Sequence, residues 1–333
     1  MAQKVTWKKG MRLSTDVFDA MDLFNAQQIR QSTLIASAGR YGIVPNIRPF
    51  DLSLNVSGNT VEVLSLSCLG VTKSGLIADI NFDSDFHHTF DTRLSIPHSV
   101  DAESYILVVT LHDDEWREIS DIQSEMKYTF ALVGENSPID GNTLPIGRLV
   151  NQYGWRLDET DFVPPCLLVG SHPRYVEVFN RAKMIFKNIA DRCRVAHNCI
   201  AIQLLSSVWT ASSMEYISMD KEAAVYTPER LFASLQKVTE SFLIGCLTQP
   251  GIELENAGPF EEYVARHYDG TTLYSDIKTG LELIAEISVK MEGVCQMVEQ
   301  PEAPSVPQPP KQTPERPKKP VQKDRTGRMV YFV

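Results

Sequence analysis

No stretch of the sequence approaches the roughly 20 uninterrupted apolar residues that a membrane-spanning helix needs, so no direct membrane insertion is expected. The opening, Met1-Ala2-Gln3-Lys4-Val5-Thr6-Trp7, has no apolar core of a signal peptide, and no secretory signal is expected. No CxxC pair occurs. The cysteines at 68, 166, 193, 199, 246 and 295 are scattered, and most sit among apolar neighbours. They read as buried free thiols in a reducing compartment, which makes the cytoplasm the expected location. Positive charge is scarce as well. The net charge is −10 over 333 residues, and the pI is about 5.3. General nucleic-acid binding needs a basic stripe that displaces counterions from phosphates, and this balance argues against it.

Enzyme signatures are missing too. There is no GxSxG elbow, phosphate loop, Rossmann glycine fingerprint or HExxH. No cofactor is implied. The densest polar cluster, His112-Asp113-Asp114-Glu115, follows an apolar run and reads as a solvated turn at a strand end, since consecutive loop residues seldom converge on one metal. His87-His88 reads as a surface or half-buried pair, and His197 as a capping or packing residue. Cys166 follows Pro164-Pro165 without a neighbouring base to lower its pKa, which argues against a thiol nucleophile. A hydrolase with a dispersed site is the remaining catalytic alternative.

What is present is a change of period. Residues 42–170 are strand-rich. Leu52-x-Leu54-x-Val56 and Tyr128-x-Phe130-x-Leu132 alternate with period two, and Tyr105 to Leu111 is an apolar run fit for a sheet core. Val61 and Val63 share one phase, while Leu64, Leu66 and Cys68 take the other, which predicts a bulge or a strand buried on both faces. Gly-containing turns at 57–59, 73–75 and 140–142 separate these runs, so a sandwich or barrel is expected. Phe18 to Ala38, polar and Gln-rich, reads as a helix or extended arm. Trp7, Phe18 and Phe24 read as core or as anchors on an assembly surface.

After Pro173 the period becomes helical. Val178, Ala182, Ile185, Ile189 and Cys193 fall on one face. A second apolar segment runs from Cys199 to Trp209. Thr227-Pro228-Glu229 is a helix start, with a capping hydroxyl, a first-turn proline and an acid at the positive end of the dipole. Leu231, Leu235, Val238 and Phe242 form the stripe that follows, and Leu283, Ile287, Met291, Val294 and Val298 form the last. About four helices in a bundle are expected. The 301–320 segment has eight prolines in twenty positions, which excludes a helix or a core and predicts a long-reaching disordered linker. It ends in Gly327-Arg328-Met329-Val330-Tyr331-Phe332-Val333, a strip that reads either as a docking peptide or as a segment packed back on the bundle. The fold class is therefore α+β and multidomain: a β-sandwich or barrel-like domain over 1–173, a helical bundle over 174–299 and a Pro-rich basic tail over 300–333.

Several motifs together resemble one family. Val5-Thr6-Trp7-Lys8-Lys9-Gly10-Met11-Arg12-Leu13, followed by Phe18, is similar to the Trp-x-x-Gly-hydrophobic-x-Leu opening of TssK, the baseplate subunit of type VI secretion systems. Val17 stands where the family has His, and Gln27-Gln28 come later than its Gln residues. Arg40-Tyr41-Gly42-Ile43, Leu64-Ser65-Leu66 through Gly75-Leu76-Ile77, Leu144-Pro145-Ile146-Gly147-Arg148-Leu149 and Phe162-Val163-Pro164-Pro165-Cys166-Leu167 resemble further family segments in the same order.

The resemblance implies a structural, non-catalytic homotrimer. Its β "shoulder", similar to phage receptor-binding proteins, would dock on the TssF–TssG wedge. Trp7, Met11, Leu13 and Phe18 are the wedge-contact candidates by position. Its helices would form the trimer stalk, with Leu231, Leu235, Val238, Phe242, Leu283, Ile287 and Met291 as bundle or trimer core. A C-terminal head that reaches the membrane complex is expected to be missing, as in a divergent Bacteroidetes-type variant. The tail tip, Arg328, Met329, Tyr331 and Phe332, is expected to contact the membrane complex or another baseplate part in its place. A phage-tail-type carbohydrate-binding module is the alternative from a different class.

Overall fold

The N-terminal helix α1 (Thr15–Ala36) leads into two antiparallel sheets and then a helical bundle. The computed structural model describes residues 4–45, 47–84, 92–97, 103–121, 123–135, 137–195, 202–249, 254, 256–268 and 272–299. The chain divides into two units, Met1–Val298 and Glu299–Val333, and the elements below build the first. The Pro-rich segment with Arg328, Met329, Tyr331 and Phe332 lies outside the described residues, as do His87, His88 and His197.

The first sheet is organised around its longest strand, β3 (Thr60–Val71). It pairs with β1 (Gly42–Ile43), β2 (Asp51–Ser57), β4 (Ile77–Asp83) and β5 (Arg93–Ser95). The β2–β3 hairpin turns through Gly58-Asn59, and Gly58 takes φ 58°, the left-handed value that tight hairpin loops require. The expected phase change in β3 is a bulge. Ser53 faces Ser65 and Leu54 faces Val63, which leaves Leu64 as the extra residue. Val61 and Val63 are buried before it and Leu66 and Cys68 after it, so the bulge keeps apolar residues inward across the phase shift.

The second sheet contains β6 (Ser104–Ser120), β7 (Gln123–Gly134), β8 (Thr143–Asn151) and β9 (Trp155–Leu157), in the order β7-β6-β8-β9. Its inner face carries Leu107, Val109, Leu111, Tyr128 and Phe130 against Leu66, Ile80 and Phe82 of the first sheet. Phe82 and Phe130 meet edge to face at 5.7 Å. The intervening β6 residues Ile106 and Val108 are also buried, under Phe162, which explains why this strand is continuously apolar.

Strands end at Leu157 and the long helices begin at Pro173. The chain between them is stitched to β1: Ile43 N–H donates to the Pro165 carbonyl (2.7 Å), and Leu167 N–H donates to the Ile43 carbonyl (2.9 Å). Gly42 is required there. It sits at φ 132°, and a Cβ would fall on the Pro165 carbonyl. The bundle comprises α2 (Pro173–Val195), α3 (Ile202–Glu222), α4 (Pro228–Thr248), α5 (Gly258–Ala265) and α6 (Leu273–Glu299). That is one short helix more than the apolar stripes indicate. Thr227 caps α4, accepting from Arg230 N–H at 3.2 Å, with Pro228 in the first turn as expected. A single hydrophobic core runs from Leu66 and Phe130 through Val163, Cys166 and Val169 to Tyr175, Phe186, Leu235 and Ile287. Sheets and bundle are therefore one packed body.

Candidate partner-binding surface

The N-terminal arm and α1 are unusual for apolar residues in a folded chain. None of the 22 residues of α1 is buried. Trp7 is 53% exposed, Leu13 62% and Ile35 80%, and Met11, Phe18, Leu23 and Ile29 are exposed as well. A run of large exposed side chains of this kind exceeds the scattered apolar exposure of an ordinary surface. All four residues singled out as wedge-contact candidates lie on this one stretch.

The helix is nonetheless well fastened at its C-terminal half. Arg30 donates from Nε to the Ser74 carbonyl (2.6 Å) and pairs through Nη1 with Asp113 (2.9 Å). Leu34 packs on Gly75, where a Cβ would lie 2.6 Å from Leu34 Cγ. The end is closed by a six-residue capping motif: Gly39 N–H donates to Leu34 C=O (3.0 Å) and Ala38 N–H to Ile35 C=O (3.1 Å). Ala38 takes φ 53° there, a position that favours glycine.

Asp113 belongs to a two-stranded ribbon. β8 pairs with β6 only as far as Thr110, while β6 and β7 continue together to Ser120 and Gln123. The expected turn at His112–Glu115 is corrected here. These residues lie within β6, in a large bulge between the pairs His112–Lys127 and Trp116–Met126. Cross-strand charges carry the ladder past it: Glu115 pairs with Lys127 at 2.5 Å, and Arg117 with Glu125. The cluster does not converge. His112 Nε2 meets the Thr129 hydroxyl at 3.0 Å, Asp113 turns to α1, and Glu115 turns to β7. Among the described residues, no group of three or more His, Cys, Asp or Glu side chains is arranged to hold a metal. Trp116, exposed at 59%, is the ribbon residue that sequence reading missed. Its signal was available: one large aromatic inside a charged run.

The seven bundle candidates lie elsewhere. Leu231, Leu235, Val238, Phe242, Leu283, Ile287 and Met291 are all buried within a single chain. Their apolar stripes are satisfied by intrachain packing. Ile244, Leu247 and Val289 are exposed on the same helices, and Met214 and Ile217 on α3. Ser206, Thr210, Ala211 and Ser241 line a groove between α3 and α4 beside Met214 and Ile244.

Buried titratable groups behave as structure. Burial pushes the Cys68 thiol up to about 12, with Asp79 adding to it. Burial likewise raises Cys166 well above the ordinary thiol value, and its Sγ donates to the Pro164 carbonyl at 3.2 Å. Neither supplies a thiolate. Burial opposes charge on Asp158. The N–H groups of Asp161 (2.9 Å) and Thr160 (3.0 Å), with Arg148, outweigh that and hold its carboxyl below the usual range. Burial and the Arg174 charge depress His172 to about 4, where it stacks beside Phe50 at 5.8 Å.

A β-sandwich and a helical bundle closed over one core define the class of this molecule as an α+β scaffold. No family model matches the chain, and no curated protein matches its sequence. Solved structures do match. The chain is similar to TssK from the type VI secretion system of EAEC in complex with nanobody nb18, with TM-score 0.55 and 14% identity over 81% of this chain and 68% of that one. It is similar to the type VI secretion system TssK-TssF-TssG baseplate subcomplex, with TM-score 0.55 and 13% identity over 87% of this chain and 99% of that one. It is also similar to the baseplate complex from the type VI secretion system, with TM-score 0.55 and 14% identity over 85% and 99%. The chain has the TssK fold, as the motifs from Trp7 to Leu167 implied.

Proposed function

We propose that this chain is a structural baseplate subunit of a type VI secretion system, a homotrimer that joins the TssF–TssG wedge to the membrane complex on the cytoplasmic side. It acts through surfaces and carries out no catalysis. The observation that carries the reading is the match to the TssK-TssF-TssG subcomplex, which spans 87% of this chain and 99% of the matched one. Exposed Trp7, Met11, Leu13 and Phe18 are the wedge contacts in this reading. The exposed faces of α3, α4 and α6 hold the copies together. Arg328, Met329, Tyr331 and Phe332 form a separate contact toward the membrane complex.

Light scattering on the purified protein tests the trimer. The expected mass is about three times 37.4 kDa. Co-expression with the TssF and TssG proteins of the same organism tests the adaptor role, and the three are expected to purify together. A monomer at micromolar concentration that captures neither protein overturns the reading.

A further inference from the structure

The exposed apolar surface around α1 includes a cleft, and its chemistry specifies an occupant. Helix α1 and the β6–β7 ribbon meet across one cleft. Arg30 pairs with Asp113 at one end, and Leu23 shares a cleft with Trp116 and Met126 further along. Leu76 and Ile77, where β4 of the first sheet begins, also line it. The cleft is thus walled by a helix face and a sheet face, and both walls offer exposed apolar side chains.

The rim is acidic. On α1, Asp16, Asp19, Leu23, Ala26, Arg30 and Leu34 recur at steps of three and four, so they share the face that meets the body. Asp16 and Asp19 thus lie on that face about one to two turns beyond Leu23, outside the cleft lining itself. On β6, Glu118 lies two residues from Trp116 and shares its side of the ribbon. Residues 112–127 carry six acids against two bases, and α1 carries three against one. Together that is a net charge of −6 for these two elements, with Lys4, Lys8, Lys9 and Arg12 on the arm before α1. The bases Arg30, Arg117 and Lys127 are engaged by Asp113, Glu125 and Glu115. No ion pair among the described residues neutralises Asp16, Asp19 or Glu118.

We infer that this cleft receives an amphipathic helix of a partner protein whose polar side is basic, with Trp116 as its central anchor. A helix laid between a helix face and a sheet face buries an apolar stripe at i, i+3, i+4 and i+7. Its Lys and Arg residues then fall beside Asp16, Asp19 and Glu118, which fixes its orientation and speeds its encounter. Trp is the residue most often found to dominate such interfaces. An acidic or purely apolar segment meets like charge or an unmatched rim and is excluded. The inference rests on the baseplate reading only in taking a wedge protein as the source of that helix.

The test uses the full chain and two labelled 18-residue amphipathic peptides, one of Leu and Lys and one of Leu and Glu, read by fluorescence anisotropy. The Leu/Lys peptide is expected to bind, and the Leu/Glu peptide is not. Trp116→Ala is expected to weaken binding about tenfold or more. The triple change Asp16→Asn, Asp19→Asn and Glu118→Gln is expected to weaken it and flatten its salt dependence. All four side chains are exposed, and circular dichroism confirms folding of each variant. Equal binding of the two peptides, or unchanged binding by Trp116→Ala, overturns the inference. Capture of TssF and TssG by the same proteins forms the second arm, and loss of capture with Trp116→Ala is expected. If the wild type captures the wedge and Trp116→Ala does so equally well, the cleft assignment fails and the baseplate reading stands. If the wild type binds the Leu/Lys peptide but captures no wedge protein, the baseplate reading fails and the cleft stands.

Discussion

Gly280, in the N-terminal third of α6, sets two opposing effects against each other. An interior helical glycine replaced by alanine ordinarily gains about 1 kcal/mol, since glycine loses more backbone freedom on folding. Here a Cβ would fall on the Tyr263 hydroxyl, lie 2.5 Å from the ring carbon that bears it, and lie 3.1 Å from Leu235 Cδ1. The ring has little room to retreat. Tyr263 is buried and packs edge to face on Phe232 at 5.6 Å. Overpacking a closed core costs about 1–3 kcal/mol, and a rigid ring held on two sides puts this site at the upper end. Gly280→Ala is therefore expected to destabilise by about 2 kcal/mol net of the helix gain. Among the described residues the Tyr263 hydroxyl is buried without a hydrogen-bond partner, so Tyr263→Phe alone is expected to be neutral or to stabilise slightly. In the Tyr263→Phe background, Gly280→Ala should cost less by about 1 kcal/mol, a coupling that a double-mutant cycle resolves. Urea unfolding followed at 222 nm reads all four proteins at constant slope. An increase in midpoint for Gly280→Ala, as an exposed helical glycine would give, refutes the reasoning, as does zero coupling to Tyr263.

Three further expectations follow from groups already described. Asp158→Ala removes the acceptor for two backbone N–H groups and leaves Arg148 with only Glu135, at a cost of about 3 kcal/mol in urea unfolding at neutral pH. Because the folded carboxyl lies below its unfolded value, that contribution is present at neutral pH and is lost as pH falls through the folded pKa, so mutant and wild-type stabilities should converge in acid. His172 titrates near 4 when folded and near 6.5 when unfolded; its contribution is complete above about 6.5 and is lost as pH falls toward 4, and His172→Gln should flatten the stability curve across that window. Ala38→Gly should raise the melting temperature, gaining up to about 1 kcal/mol, because φ 53° suits glycine better than alanine.

What could be read in advance depended on how local the cause was. The β6 core run, the Leu64 phase change and the Thr227-Pro228-Glu229 start are each dictated by neighbours in sequence, and each appears as expected. The exposed arm was legible as two alternatives, core or assembly surface, because a Trp or Phe alone carries no record of what covers it. His112–Glu115 was misread because polar residues near an apolar run look the same in a turn and in a ribbon extension; the cross-strand partners Lys127 and Thr129 lie 12 and 17 residues away. The cleft beside Trp116 was invisible for the same reason, since it exists only once Arg30 reaches Asp113 across 83 residues.

The unbroken core that runs from Leu66 through Cys166 to Ile287 also has a mechanical meaning. Close-packed interiors are barely compressible, and no soft joint separates sheets from helices. The Val169 N–H bond to the Tyr226 carbonyl, at 2.8 Å, and the Lys278–Asp161 pair, at 2.6 Å, brace the same junction from two further sides. A displacement imposed on the helices therefore meets the sandwich through packed side chains, as through a strut. Among the described residues, the ties of α1 to the sheets through Arg30 and Leu34 fall in its C-terminal half.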